Sequence, residues 1–386
     1  MKRIYDLEAE EEKRTRAFLV GLPLSENPGG LDELQGLVWT LGMEEAGKTI
    51  LSRLDVRPAY GMGSGKAKEI CSAALEAEAD CIIMDWELDP TKQRNWEKLA
   101  NIPVFDRQEV IIRIFASRAR TREAVLQVEL ARLEYSLPRL AHMYGDLARQ
   151  RGGNYGAKGS GEKQLELDRR QTRLKIQQLK AELKKVRQNR ATQRKRRQKI
   201  PLPTIALCGY TNAGKSSLMN ALTGSDTLVE NKLFATLDPL TRRIKIAGDE
   251  ILMTDTVGFI SNLPHQLIDA FKSTLEEAEL ADALLIVIDA SDPNALSQAR
   301  TVKKVLEEIG ANEKKTLVAL NKIDALENSE GAIPQTSADD NNSAAFLASQ
   351  ALAALRSDFP DALGISAKTG KGLDLLKAKI SAIIRQ

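Results

Sequence analysis

Residues Gly209-Tyr210-Thr211-Asn212-Ala213-Gly214-Lys215-Ser216 satisfy the spacing GxxxxGK[ST] and follow directly on an apolar run, Thr204 to Cys208. Small residues at those places let successive backbone N–H groups curl around phosphate oxygens. A lysine at 215 can reach the β and γ oxygens, and the Ser216 hydroxyl can bind Mg²⁺. Ser217 extends the same phosphate-binding group into the helix expected to follow. A chance glycine turn has this spacing too, so the reading depends on the motifs downstream.

Forty residues on, Asp255-Thr256-Val257-Gly258 follows the apolar stretch Ile251 to Met253. There Asp255 can hold Mg²⁺ through water while the Gly258 N–H meets a γ-phosphate. Between the two motifs lies Phe234-Ala235-Thr236-Leu237-Asp238-Pro239, a stretch without strong periodicity. It suits a loop that orders when Thr236 reaches the metal. A threonine in a surface loop is usually structural, and only its position between the other motifs singles this one out. The metal ligands read this way are Ser216, Thr236 and Asp255, and Lys215, Thr236 and Gly258 are the groups that would touch the reacting phosphate.

Further along come Asn321-Lys322-Ile323-Asp324 and Ile365-Ser366-Ala367-Lys368, each after an expected strand. The Asp324 carboxylate can accept both N1–H and the exocyclic amine of guanine, whereas adenine offers no donors there and would leave a carboxylate unpaired. Asn321 can brace the loops, Lys322 and Lys368 can lie along the base plane, and the Ala367 N–H can donate to O6. A salt-bridged turn explains either fragment separately but hardly both. The ordered set points to GTP as substrate.

These groups need strands that end where they begin. The sequence predicts strands at Thr204 to Cys208, Glu250 to Met253, Leu284 to Ile288 and Thr316 to Leu320, alternating with helices, the pattern of an open α/β sheet. Residues Asn328 to Ser343 are polar and read as a loop. Upstream, residues 1–106 alternate apolar runs with helical patterns: Ala17 to Leu22, Leu31 to Ala46, Thr49 to Val56, Ala67 to Ala77, Cys81 to Met84 and Thr91 to Leu99. A small α/β domain with a mainly parallel sheet is expected there. Within it, Gly61 to Lys66 superficially resembles a second phosphate loop. Tyr60 replaces its first glycine and Ala67 its hydroxyl, leaving a generic helix-terminal anion site or a tight turn.

Residues 107–200 differ. Leu126, Leu130, Leu133, Leu137 and Leu140 recur at spacings of 4 and 3, as do Ile176, Leu179, Leu183 and Val186. Two helices zipped into an antiparallel, coiled-coil-like hairpin follow, with Pro138 kinking or restarting the first. Gln150 to Gly161 holds five glycines between them and should form a mobile, basic tip. This region carries 25 Lys and Arg against 9 Asp and Glu, a local +16 in a chain of net charge +3, so the remainder is −13. From Arg169 to Lys199 fourteen basic residues face one acid, Glu182. Such segregation marks a surface that meets a polyanion, or else a solvated helix face. Pro201 and Pro203 set the boundary of the third part, 201–386.

At 386 residues, 42% hydrophobic and 28% charged, the chain has the composition of a multidomain globular protein, with no apolar run of membrane-spanning length. Its acidic N-terminus lacks a signal core, and a cytoplasmic monomer is expected. Three cysteines and two histidines are too scattered for a disulfide framework or a zinc site, and Ser-His-Asp chemistry loses its footing.

The motifs together resemble the HflX family, ribosome-associated GTPases of the Obg-related class. Beyond those already given, the resemblance is carried by Phe259-Ile260 with Leu263-Pro264-His265, by Arg118-Ala119-Arg120-Thr121, and by Gly159 to Glu166 with Asp168-Arg169-Arg170. It spans nearly the whole chain. Ser160 stands where the family usually has proline, and the extra C-terminal domain of some members is expected to be absent. The resemblance implies an N-terminal domain and hairpin that dock on the large ribosomal subunit and its RNA under GTP control, in rescuing or splitting stalled or idle ribosomes. It also implies that Asn212 is similar to the asparagine of potassium-stimulated GTPases, where K⁺ offsets transition-state charge; a turn residue is the plainer role. Phe259 occupies the position where many GTPases carry a water-orienting glutamine, and a phenyl ring cannot replace it. From the residues alone, a GTP-timed RNA-binding or RNA-remodelling factor not specific to ribosomes stays open. A scaffold with a decayed site is disfavoured by the presence of phosphate, magnesium and guanine elements.

Overall fold

A computed structural model describes residues 14–23, 30–54, 59–150, 158–197, 202–224, 233–234, 236, 239–261, 277–330 and 352–385. The chain divides into two compact units, residues 1–114 with 138–166, and residues 115–137 with 167–386.

The first unit is built on strands β1 (Arg16–Gly21), β2 (Glu44–Ile50), β3 (Cys81–Met84) and β4 (Val104–Asp106), all parallel, in the order β2-β1-β3-β4. Helices α1 (Gly30–Thr40), α2 (Ser64–Glu76) and α3 (Pro90–Ala100) connect them. Phe18, Val20, Ile82, Met84 and Val104 pack with Ala67, Ile70, Ala74 and Trp96 in one core. The start of α3 is specified locally: Asp89 accepts from the Thr91 and Lys92 N–H groups, each at 3.0 Å, and Pro90 gives up no needed donor. Helix α1 ends at Thr40, earlier than the apolar spacing suggested. Gly42 takes φ +77°, a turn that frees Glu44–Ile50 to become β2. The Gly61 to Lys66 segment forms a turn into α2, with Gly61 at φ +75° and Lys66 paired to Glu69 at 2.9 Å.

Helix α4 (Arg107–Arg118) opens with Arg107, buried and ion-paired with Asp85 at 2.6 Å and with Glu33. Helix α5 (Arg122–Gln150) runs unbroken through Pro138, without the restart expected there. The division between the units nevertheless falls at that proline, and the next residue, Arg139, is held in the first unit by Asp106 at 3.0 Å and the Leu88 carbonyl at 2.8 Å.

In the second unit α5 meets α6 (Lys158–Arg197), with Leu130, Ile176, Leu179 and Leu183 buried and Leu126, Leu133 and Leu137 packed on them. Arg122 pairs with Glu182 and Glu129 with Lys175, so the two helices run antiparallel. The expected glycine-rich tip falls largely on 151–157, outside the described residues. Its last part, Lys158 to Gly161, is the first turn of α6 rather than loop, a place where N–H groups lack intrahelical partners anyway.

The unit's sheet has the order β10-β9-β8-β5-β7-β6. Strands β5 (Thr204–Gly209), β7 (Asp249–Asp255), β8 (Ala283–Asp289), β9 (Lys315–Asn321) and β10 (Leu363–Gly364) are parallel, and β6 (Leu240–Ile246) pairs antiparallel to β7 at the edge. Helices α7 (Lys215–Thr223), α8 (Ala295–Glu308), α9 (Ile323–Glu330) and α10 (Leu373–Arg385) complete the connections. Asn328 to Glu330, expected in a loop, end α9, and residues 331–351 lie outside the described ones. The connection from β5 runs to the β7-β6 side of the sheet and those from β8 onward to the β9-β10 side, which opens a crevice at the carboxyl ends of these strands. No helix among the described residues is long and apolar enough to cross a membrane.

Candidate active site

That crevice holds a cavity of about 730 Å³, lined among others by Thr211, Asn212, Gly214, Lys215, Ser216 and Ser217 after β5, Thr256 and Gly258 after β7, Asn321, Lys322 and Asp324 after β9, and Ala367 and Lys368 after β10. Thr236 and Phe234 close it from the segment before β6. Of the residues the sequence singled out, Gly209, Tyr210, Ala213, Asp255, Val257 and Ser366 do not line it. Each of these is buried, apart from any place on the cavity wall.

The loop after β5 is shaped by steric exclusion. Gly214 holds φ +90°, and a Cβ there would stand 2.3 Å from Asn321 Nδ2. A Cβ on Gly258 would lie 2.8 Å from Thr211 Cα and 3.0 Å from Lys215 Nζ. The two loops therefore meet backbone to backbone, a spacing that only glycine permits. The Thr211 N–H donates to the Phe259 carbonyl at 2.7 Å and the Phe259 N–H to the Gly209 carbonyl at 3.1 Å, so Phe259 joins the loops through its main chain. Its ring is 2% exposed and absent from the cavity wall, and the Tyr210 hydroxyl fixes the next turn through Ser261. Asn212 is exposed on the rim at φ +61°.

Lys215 Nζ donates to the Gly209 and Tyr210 carbonyls at 3.1 and 2.8 Å. Burial pushes its ammonium down to about 8 from an ordinary 10.5, while the Asp255 carboxylate acts in the opposite sense. Burial likewise raises Asp255, opposed by Lys215 and the hydroxyls of Ser216 and Thr236. Desolvation is the larger cause on both, because the pair is withdrawn from water.

The three residues read as metal ligands are in mutual contact. Asp255 Oδ2 accepts from Ser216 Oγ at 2.6 Å and Thr236 Oγ1 at 3.0 Å, and the two hydroxyls are 2.9 Å apart. Asp255 Oδ1 is buried with no hydrogen-bond partner among the described residues. Two hydroxyls and a carboxylate that keeps one oxygen unsatisfied are hard donors that fit Mg²⁺.

On the opposite wall Asn321 Nδ2 donates to the Ala213 carbonyl at 2.9 Å, and its Oδ1 accepts the Ala367 N–H at 3.0 Å. The Ala367 N–H, expected to meet a base oxygen, thus has Asn321 as its partner here. Lys322, at φ +64°, pairs with Asp289 at 2.6 Å. Sequence reasoning passed over Asp289, although an aspartate closing the apolar run of β8 is a visible signal. It also gave Phe234 no role. The segment Leu263-Pro264-His265 and residues 235, 237 and 238 lie outside the described residues.

Comparisons with known proteins identify the family of this chain. Residues 204–322 match the family model described as 50S ribosome-binding GTPase, 118–197 that of the GTP-binding GTPase middle region, and 29–116 that of the GTP-binding GTPase N-terminal region. The chain is 48% identical to GTPase HflX of Akkermansia muciniphila, covering 86% of this chain and 79% of that one. It is 42% identical to GTPase HflX of Lacrimispora saccharolytica, over 100% and 86% of the two chains. With GTPase HflX of Escherichia coli the identity is 42%, over 90% and 77%. The solved complex of SsGBP with GDP matches at a TM-score of 0.50 and 27% identity, over 97% of this chain and 99% of that one. The chain belongs to the HflX family of P-loop GTPases, which bind guanine nucleotides and hydrolyse GTP.

Proposed function

We propose that this protein is a cytoplasmic, monomeric switch that binds the large ribosomal subunit and its RNA under nucleotide control, and that it rescues or splits stalled or idle ribosomes. The observation that supports this most is the two-sided character of α6. Ile176, Leu179 and Leu183 are buried against α5, while Arg170, Arg173, Lys184 and Lys185 are exposed along the same helix. A basic ridge on a rigid helix suits the phosphates of structured RNA. We divide the chain functionally at residues 106 and 200, into an N-terminal domain, this basic hairpin and the GTPase domain.

In this reading the backbone of Gly209 to Ser217 encloses the phosphates, and Lys215 exchanges its two carbonyl partners for β and γ oxygens. Ser216, Thr236 and Asp255 would hold Mg²⁺. When bound, Mg²⁺ would supply positive charge to offset that of the phosphates. The N–H of Gly258 orients the γ-phosphate, while Thr256 and Val257 carry it into place from β7. Asp324 selects guanine, with Lys322, Lys368 and the Ser366-Ala367 turn around the base. K⁺ at Asn212 adds positive charge beside the phosphates.

The test is retention on purified large subunits against unrelated structured RNA at matched salt, with a non-hydrolysable GTP analogue or GDP. Tighter binding to subunits in the triphosphate state is expected. Equal retention on both RNAs would favour a general RNA-binding or RNA-remodelling factor, and indifference to nucleotide would overturn the switch.

A further inference from the structure

The segment that carries Thr236 is gripped from outside the nucleotide cavity. Phe234, two residues earlier, is 2% exposed and lines the cavity, yet holds φ at +54°. A bulky side chain rarely adopts the left-handed region, and it persists there only where surrounding contacts over-determine it. One such contact is Phe115, at the C-terminal end of α4. Its ring is 1% exposed and meets the Phe234 ring edge-on, with centroids 4.6 Å apart and planes at 62°. Both rings belong to the second unit. Two residues of chain span at most about 7 Å, so a change in the Phe234 backbone is felt at Thr236. Thr236 in turn has its hydroxyl on Ser216 and Asp255.

We propose that Phe115 is a positioning residue for GTP hydrolysis: seated on Phe234, it fixes the loop so that Thr236 stays beside Ser216 and Asp255. The proposal rests on the assignment of Thr236 to Mg²⁺ made above. Without the Phe115 ring, Phe234 is free to relax to negative φ and carry Thr236 away. Only the triphosphate state draws on Thr236, so the loss falls on GTP and spares GDP. Phe115 lies near the end of α4, which passes into α5 at Arg122 by way of the Ala119 to Thr121 turn. A partner that shifts the helical region thus has a path to Thr236 that bypasses the nucleotide.

The experiment compares GTP and GDP affinity in Mg²⁺ and hydrolysis at saturating GTP for wild type, Phe115→Ala, Phe115→Leu and Thr236→Ala. Phe115→Ala should weaken GTP about fivefold to tenfold, the worth of one edge-on aromatic pair, and leave GDP within about twofold. It should also slow hydrolysis. Phe115→Leu, which keeps the site filled, should lie between it and wild type. A merely structural role would weaken GTP and GDP alike, and that result would overturn the proposal. If Thr236→Ala behaves as wild type, the underlying metal assignment fails. If Thr236→Ala is impaired while both Phe115 variants keep the wild-type preference for GTP and its rate, the Phe115 proposal alone fails.

Discussion

The Asn321 side-chain amide donates to the Ala213 carbonyl at 2.9 Å, bridging two residues 108 positions apart. With its oxygen on the Ala367 N–H, it braces three loops that would surround a nucleotide. Gly214 allows the approach, since any Cβ there would meet Asn321 Nδ2.

Asn321→Ala breaks both bonds inside a buried site, where each unpaired group costs about 1–3 kcal/mol. Affinity for GTP and GDP should both fall by roughly tenfold or more, measured by fluorescent-nucleotide titration. Unchanged GDP affinity would refute the bracing role, because the loops it joins are needed by either nucleotide.

Asp324 is expected to set base identity. Asp324→Asn should weaken GTP by roughly a hundredfold, through the loss of two charge-assisted hydrogen bonds, and should improve xanthosine triphosphate, whose donor pattern suits an amide. Equal binding of ATP and GTP by the wild type would defeat the assignment. Lys322 is held by Asp289 on the other side of the loop, so this exchange should leave the local fold in place.

Much of this site is legible in sequence because its parts are local. A glycine loop between strand and helix, and an Asn-Lys-Ile-Asp after an apolar strand, announce both chemistry and position. Strand β8 is buried throughout and reads as an uninterrupted apolar run. Strand β6, Leu-Thr-Arg-Arg-Ile-Lys-Ile, escapes such a reading because an edge strand with a wet face has few apolar residues. The Ala247-Gly248 turn, with φ of +48° and +94°, is the available hairpin signal. Pairings such as Arg107 with Glu33 and Asp85, or Phe115 with Phe234, join residues with no local pattern and become visible only in the fold.

The basic ridge of α6 gives a quantitative expectation. Replacing Arg170, Arg173, Lys184 and Lys185 by glutamine keeps helix propensity and the buried seam while removing four charges. Affinity for large subunits should fall, and the slope of log affinity against log salt should flatten by up to about 0.9 for each phosphate no longer neutralised. If affinity and slope both match the wild type, the ridge is a solvated face.

Phe259 has the chemistry that the sequence suggested and a different place. Its ring lies in the interior at 2% exposure, and only its backbone faces the loops of the site. Phe259→Ala should therefore act on stability, costing about 3–5 kcal/mol and lowering the Tm by roughly 10 °C. Phe259→Leu, which keeps most of the packing, should leave hydrolysis unchanged. With this position turned inward, the side chain that follows Gly258 does not orient the attacking water. Turnover by the isolated protein is then expected to be slow and to rise on large subunits, which can supply polar groups. A tenfold gain requires only about 1.4 kcal/mol of transition-state stabilisation, within reach of one ordered contact. Turnover should be measured with and without subunits, in potassium and in sodium. Full-speed hydrolysis by the protein alone would remove the need for a partner. Equal rates in the two salts would remove K⁺ from Asn212.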